Sequence, residues 1–261
     1  MTARIWLIGG TQESAQLVRM VAGQQIPSVV SITTESARAL YPVLPSIRLR
    51  VGALDEGQVS RFIEQEQIDA ILDASHPYAV EISSLAIAAA QKHDLPYLRY
   101  ERPLLKAASN LEVDKIETLL DEDYLTDQRV LLTVGYRFLH LFKPWQDRAT
   151  LFARILPSQV ALDAALAAGF TPDRLVALRP PLSVLLEKAL WQHWQISLVV
   201  AKASGTAGGE LVKQQVAQSL GVKLVLIRRP VVAYPRQTSR LDEAIAFCGQ
   251  HGASVVAQGV I

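Results

Sequence analysis

Short β-rich apolar runs alternate with stretches of helical spacing along the whole chain. In the first half the runs cover residues 4–9, 28–33, 47–52, 69–74 and 96–100. Between them, Ala15, Val18 and Ala22 share one face of a helix expected over 11–22, and Val59, Phe62 and Ile63 share one over 56–66. The second half repeats the scheme with runs at 129–134, 150–156, 174–178, 196–203 and 223–228, and a further strand expected at 254–257. Its helices are expected at 160–168, 183–194 and 210–220, the last closed by Gly221 at a C′ position. Alternation at this pitch means βαβ units, and βαβ units mean parallel sheet.

The fold class is therefore α/β, with two Rossmann-like, doubly wound parallel-sheet domains facing each other. Residues 107–128 are acidic and weakly patterned, which places the hinge there and the domains at 1–108 and 109–261. In such sheets ligands bind beyond the carboxyl ends of the strands, so the strand-to-helix turns are where chemistry belongs.

Three turns stand out. The first is IWLIGGTQES, where a buried strand runs into Gly9 and Gly10, and Thr11 is typed as the N-cap of the next helix. Glycines admit close approach of a phosphate, and a helix N-terminus offers unpaired amides, so pyrophosphate binding is favoured over a tight turn with no ligand. After the second strand comes SITTESAR. Thr33, Thr34, Ser36 and Arg38 suit the 2′-phosphate of NADPH, whereas Glu35 suits it only by turning away. Thr34 or Ser36 capping a short helix is the plainer account.

The second turn is ILDASHPYAVEIS, with Pro77 in the first turn of a helix and Tyr78 onward helical. That leaves Ser75 and His76 on the same sheet edge as Gly9 and Gly10. The imidazole there suits a cofactor, a substrate carboxylate or a proton in transit. An N-cap serine beside a surface histidine accounts for the stretch equally well. The third turn is LVVAKASGTAGGE, in which an apolar strand ends in Lys202, Ser204 and Gly205. A lysine with glycine-exposed amides makes a carboxylate or phosphate receptor. The alternative, an incidental lysine at a glycine-rich helix entry, is less favourable because an unpaired cation is costly there.

Other chemistries find no support. The five histidines (His76, His93, His140, His193 and His251) show neither HxxxH nor HExxH spacing, so no metal site is expected. There is no GxSxG elbow, no P-loop, and no tyrosine followed four residues later by lysine. Trp191 and Trp194 fall at helical spacing and read as packing. A single cysteine and no apolar run of the ~20 residues a span needs point to a cytoplasmic protein without membrane contact.

Charge bears on the partner. The net +1 divides into 11 Lys/Arg against 18 Asp/Glu over residues 1–128 and 15 against 7 over 129–261, or −7 and +8. A basic second half suggests an anionic partner, although drift in surface charge would give the same split. With no Lys/Arg run and no nucleic-acid motif, a small polyanion fits better than DNA or RNA.

Taken together, IWLIGGTQES, DASHPYAVEIS, LPYLRYERP, LLTVGYRFL, FARILP, AKASGTAGG and VLIRRP resemble the precorrin-6A reductase family of cobalamin biosynthesis. The resemblance covers most of the chain, and the Asp-Ala-Ser-His-Pro-Tyr-Ala string followed by RYERP is its most specific part. It implies NADPH on the first domain and a ring-contracted tetrapyrrole in an active-site cleft between the two. It also implies delivery of one hydride to the macrocycle, giving precorrin-6B or its cobalt form. The chain departs from the pattern at SITTESAR, where many members carry Ser-Leu-Ala-Gly-Arg, and at Lys202–Thr206, where they carry Lys-Asn-Ser-Gly-Gly.

On this reading Gly9, Gly10 and Thr11 anchor the pyrophosphate, and Thr33, Ser36 and Arg38 receive the 2′-phosphate. Ser75 contacts the cofactor, and His76 and Tyr78 border the nicotinamide. A polycarboxylate substrate calls for cations, and Arg99, Arg102, Arg137 and Lys202, with Ser204 and Gly205, are the candidates. Arg99 and Arg102 pairing with Glu101 or another acid is the structural alternative. His76, Tyr78 and Lys202 are the catalytic candidates; the proton that follows the hydride comes from His76, Lys202 or water. Two rival functions remain: another NAD(P)H-dependent reductase of an anionic substrate, and a non-catalytic regulator that senses NADPH. The sequence does not specify an oligomeric state.

Overall fold

A computed structural model describes residues 3–103, 105 and 111–252. The chain starts with β1 (Arg4–Ile8), α1 (Gln12–Gly23), β2 (Ser28–Ile32), β3 (Ile47–Val51), α2 (Glu56–Glu66), β4 (Ile68–Asp73), α3 (Val80–Lys92) and β5 (Tyr97–Tyr100). A 3-10 segment, Glu35–Leu40, lies between β2 and β3. Next come β6 (Leu111–Val113), α4 (Ile116–Asp121), β7 (Arg129–Thr133), β8 (Thr150–Ile155), α5 (Gln159–Ala167) and β9 (Leu175–Ala177). They are followed by α6 (Val184–His193), β10 (Leu198–Lys202), α7 (Glu210–Leu220) and β11 (Lys223–Ile227). The chain then adds β12 (Gln237–Thr238) and α8 (Leu241–His251).

The strand–helix alternation read from the apolar runs is present throughout, but the division of the chain is not a simple halving. One compact unit comprises Met1–Pro103 with Pro230–Ile261, and the other Leu104–Arg229. The expected second domain, 109–261, thus loses its last stretch to the first unit. The strand expected at 254–257 lies outside the described residues. The expected hinge at 107–128 contains β6 and α4, and β6 already belongs to the second sheet, pairing Leu111 with Val225 and Val113 with Ile227.

The first unit's sheet has the order β12-β5-β4-β1-β2-β3, all parallel. Central β1 is apolar on both faces because helices cover both. Ile5 and Leu7 pack with Leu17, Val18, Ile245 and Phe247, from α1 and α8. Trp6 packs on the other face with Val59, Phe62, Ile63 and Ala86, from α2 and α3. Its indole N–H donates to Ser31 Oγ at 2.8 Å, so this large buried side chain is also satisfied. The sixth position is filled by β12, whose Gln237 and Thr238 pair with Arg99 and Tyr100.

The second sheet, β6-β11-β10-β7-β8-β9, repeats the same order of five core strands, again all parallel. Its core joins Leu131, Phe152, Val199 and Leu226 with Val216 of α7. Trp191 and Trp194 are buried in that core, Trp194 stacked on Phe152 with centroids 4.8 Å apart, as their spacing indicated. In each sheet the chain changes direction once, between β1 and β4 and between β7 and β10. A crevice at the carboxyl ends forms at such a point.

Candidate functional site

At the first unit's switch point Thr11 caps α1. Its Oγ1 accepts from Ser14 N–H, and its own N–H donates to Ser14 Oγ, both at 3.0 Å. Thr11 Oγ1 also donates to Ala74 O at 3.2 Å, tying the end of β1 to the end of β4. Gly10, with φ +109°, needs to be glycine on backbone grounds. Gly9 needs to be glycine for a different reason: a Cβ there would lie 2.5 Å from the hydroxyl of Tyr41.

The expected donors are thus together, but they are engaged. Gly9 N–H donates to Ser31 O at 2.8 Å, and Gly10 N–H donates to Tyr41 OH at 2.6 Å. The phenol also shares a 2.6 Å hydrogen bond with Ser14 Oγ. Tyr41 was not among the sequence candidates, since nothing local marks a tyrosine 31 residues from its partner.

Beyond β2, Thr33, Ser36 and Arg38 are exposed. Ser36 Oγ lies 3.2 Å from Thr34 Oγ1, and Arg38 forms an ion pair with Glu35. An exposed pair of this kind is worth about 0–1 kcal/mol, so Arg38 can change partner for a phosphate at little cost.

The end of β4 corrects two candidates. Asp73 is fully buried and accepts four hydrogen bonds. Its Oδ1 takes Ser75 N–H (2.9 Å) and Arg99 Nη1 (2.8 Å); its Oδ2 takes Ser83 Oγ (2.6 Å) and Tyr97 OH (2.8 Å). Arg99, itself 0% exposed, also donates to Ser75 Oγ at 2.9 Å and to Glu101 Oε2 at 2.9 Å. Tyr234 lies against its guanidinium, 5.2 Å away at the ring centroid. Arg99 is therefore an internal counter-ion and Ser75 an internal strut, both already committed to partners within the fold. Burial and the Asp73 charge raise the Tyr97 phenol, which keeps it a neutral donor. Arg102 is paired with Glu13 at 3.0 Å and is mostly buried, the acid partner expected for it being Glu13 rather than Glu101.

His76 and Tyr78 sit in a turn closed by Ala79 N–H to His76 O at 2.8 Å, and α3 begins at Val80 rather than at Tyr78. The imidazole is exposed, its Nδ1 accepts Tyr78 N–H at 3.3 Å, and the two rings lie 5.7 Å apart. Both side chains are at the carboxyl edge, as their position after the fourth strand indicated.

At the second unit's switch point Lys202 ends β10. Its ammonium lies 4.2 Å from the Phe138 ring centroid and 3.8 Å from where a Gly135 Cβ would stand. Burial, and then the neighbouring Arg137, lower its pKa to about 8. Arg137 is exposed, and Arg229 Nε donates to Ala203 O at 2.8 Å, a third basic residue at this edge that was not singled out. Ser204 is buried, with its N–H bonded to Lys202 O at 2.7 Å.

Gly205 is a correction. Its N–H donates to Glu210 Oε2 at 2.7 Å, so the amide expected to receive substrate already holds a carboxylate from α7. Behind it, buried Lys213 donates to Gly208 O and Gly209 O, each at 3.3 Å. Burial, then Arg154, lower the Lys213 pKa to about 8. Arg154 pairs with buried Glu187 at 2.5 Å, and Trp191 donates to Glu187 Oε1 at 3.2 Å. These contacts set the shape of the turn.

Among the described residues no group of His, Cys, Asp and Glu side chains gathers to hold a metal ion, and no helix is long and apolar enough to cross a membrane.

Comparison with known proteins points one way. A family model described as precorrin-6x reductase CbiJ/CobK matches residues 4–249. The cobalt-precorrin-6A reductase of Synechocystis sp. is 47% identical over 253 residues, covering 95% of this chain and 97% of that protein. The precorrin-6A reductase of Rhodococcus erythropolis is 29% identical over 254 residues, covering 94% and 97%. The solved structure of a CobK precorrin-6A reductase matches with a TM-score of 0.80 at 25% identity, covering 100% of both chains.

Proposed function

The chain belongs to the precorrin-6x reductase family, enzymes of cobalamin biosynthesis that reduce a double bond of a tetrapyrrole macrocycle, and from that premise we propose that it reduces precorrin-6A or cobalt-precorrin-6A with NADPH. The product is precorrin-6B or its cobalt form.

The first unit's residues fit a dinucleotide. Two glycines and a capped twelve-residue helix stand at the switch point, and exposed Thr33, Ser36 and Arg38 follow the second strand, where a 2′-phosphate is read. Bound NADPH supplies the hydride, so the protein's task is positioning and charge. Gly9, Gly10 and Thr11 take the pyrophosphate, and His76 and Tyr78 border the nicotinamide. Lys202 and Arg137, with Arg102, bind carboxylate arms of the substrate. His76 or Lys202 gives up the proton that completes the reduction. Lys202, with a pKa near 8, is mainly protonated at neutral pH and less reluctant to lose its proton than an ordinary lysine.

The observation that carries the reading is the placement of Lys202 beside Arg137. Two basic side chains brought together at one strand end suit a substrate that carries several carboxylate arms. The test is loss of NADPH absorbance on mixing with precorrin-6A and, separately, with cobalt-precorrin-6A, and NADH serves as comparison. Consumption of NADPH with a product heavier by two hydrogens is expected. Binding of NADPH without consumption by either substrate would overturn the reading in favour of a sensor.

A further inference from the structure

Tyr41 reaches the glycine turn from outside it, and what it does there is specific. Its oxygen accepts the Gly10 N–H at 2.6 Å and lies 2.6 Å from Ser14 Oγ, inside the first turn of α1. Ser14 donates to Thr11 O at 2.7 Å, which leaves the phenol as the donor in its contact with Ser14. The side chain of residue 9 is absent in the volume that this hydroxyl needs, since a Cβ there would be 2.5 Å away. A neutral oxygen thus lies where a strand end, two glycines and a helix N-terminus converge on an acceptor.

We propose that the Tyr41 hydroxyl occupies the place of a pyrophosphate oxygen and must be displaced when the dinucleotide binds, so that Tyr41 sets cofactor affinity. The inference rests on the cofactor reading above. A phosphate oxygen carries charge, makes stronger hydrogen bonds to the same amide, and gains from the helix dipole. The phenol gains neither, because burial raises its pKa and keeps it neutral. It is therefore an exchangeable occupant that satisfies Gly10 in the unliganded protein. Tyr41 also follows directly on the Glu35–Leu40 segment, to which its N–H is bonded through Arg38 O at 3.0 Å. Release of the ring is thereby linked to the segment that carries Ser36 and Arg38, and the two ends of one cofactor act on one stretch of chain.

The experiment is NADPH titration of wild-type protein and Tyr41→Phe, read by binding and not turnover. Removal of the competing hydroxyl should tighten NADPH binding roughly 3- to 10-fold, the value of one or two net hydrogen bonds, and lower the melting temperature of the unliganded protein. Equal or weaker binding overturns the proposal, the latter because the hydroxyl would then be a cofactor contact. No binding to wild type overturns the cofactor reading itself, and this proposal with it. A second measurement uses wild type alone, so it survives a variant that does not fold. Tyrosine nitration mapped by peptide mass should rise at Tyr41 when inorganic pyrophosphate is added, with Tyr97 as the buried reference. Unchanged or greater protection at Tyr41 overturns the proposal.

Discussion

In the first unit the glycine turn after β1 receives a neutral phenol from Tyr41; in the second the glycine turn after β10 receives the carboxylate of Glu210. The two sheets share a strand order and break it at the same point, so the topology of the two crevices is alike. Their electrostatics differ, one occupant being neutral and the other anionic. Glu210 comes from the helix that the turn leads into, and the Gly208 and Gly209 carbonyls of that turn are held by buried Lys213, so the occupant is built in. An amide already bound to a carboxylate does not recruit a second anion. On the proposed reading the second unit recognises acids with side chains, Lys202 and Arg137 at its strand edge. On the same reading the first unit lends its backbone, because its occupant is uncharged.

The comparison breaks most severely at Arg99. As the counter-ion of fully buried Asp73, it should tolerate no neutral replacement: Arg99→Leu is expected to cost about 3–5 kcal/mol in denaturant unfolding, as for other one-sided losses of a buried pair. A change in substrate affinity with stability intact would instead make it a ligand residue. Lys202→Ala should behave in the opposite way. It should raise KM for the tetrapyrrole roughly 10- to 100-fold, the loss of a charge-assisted contact, and leave NADPH affinity unchanged. Steady-state kinetics beside NADPH titration distinguish the two.

Acidity sharpens the same contrast. Because its pKa is lowered to about 8, Lys202 is cationic below that pH and loses its charge above it. Substrate affinity should be flat on the acid side and fall as pH rises through about 8, by roughly tenfold one unit above. Lys202→Arg, always charged, should abolish that fall in a KM–pH profile. The smallest effect is expected at Arg38. It is exposed and already paired, so Arg38→Ala should reduce the preference for NADPH over NADH only about 3- to 5-fold in competitive binding.

What the chain reveals on reading follows from the range of each interaction. The central strands are visible because burial on both faces forces continuous apolar runs, and the edge strands β3 and β9 are visible as shorter or alternating ones. The residues at strand ends follow from that, and Gly9, Gly10, His76 and Lys202 stand at the carboxyl edges where the pattern puts them. What fills or pairs them is not visible. Tyr41, Glu210 and Asp73 are ordinary residues whose meaning depends on a partner brought up by the fold. Arg99 misleads for the same reason: an arginine near the end of a strand reads as a receptor until Asp73 and Glu101 are seen around it. The two-residue β12 carries no apolar signature at all, and a return of the chain to an earlier sheet leaves no local trace.

That return has a consequence for how the molecule is made. The first sheet takes its last strand, and one face of its core takes α8, from residues that leave the ribosome only after the whole inserted unit. Leu104–Arg229 is continuous and can close its own core during synthesis, whereas the N-terminal strands must wait with β5 unpaired on one side. The part translated first is finished last, so a stop just beyond Arg229 should leave a well-formed second unit attached to a first unit that aggregates through its open edge.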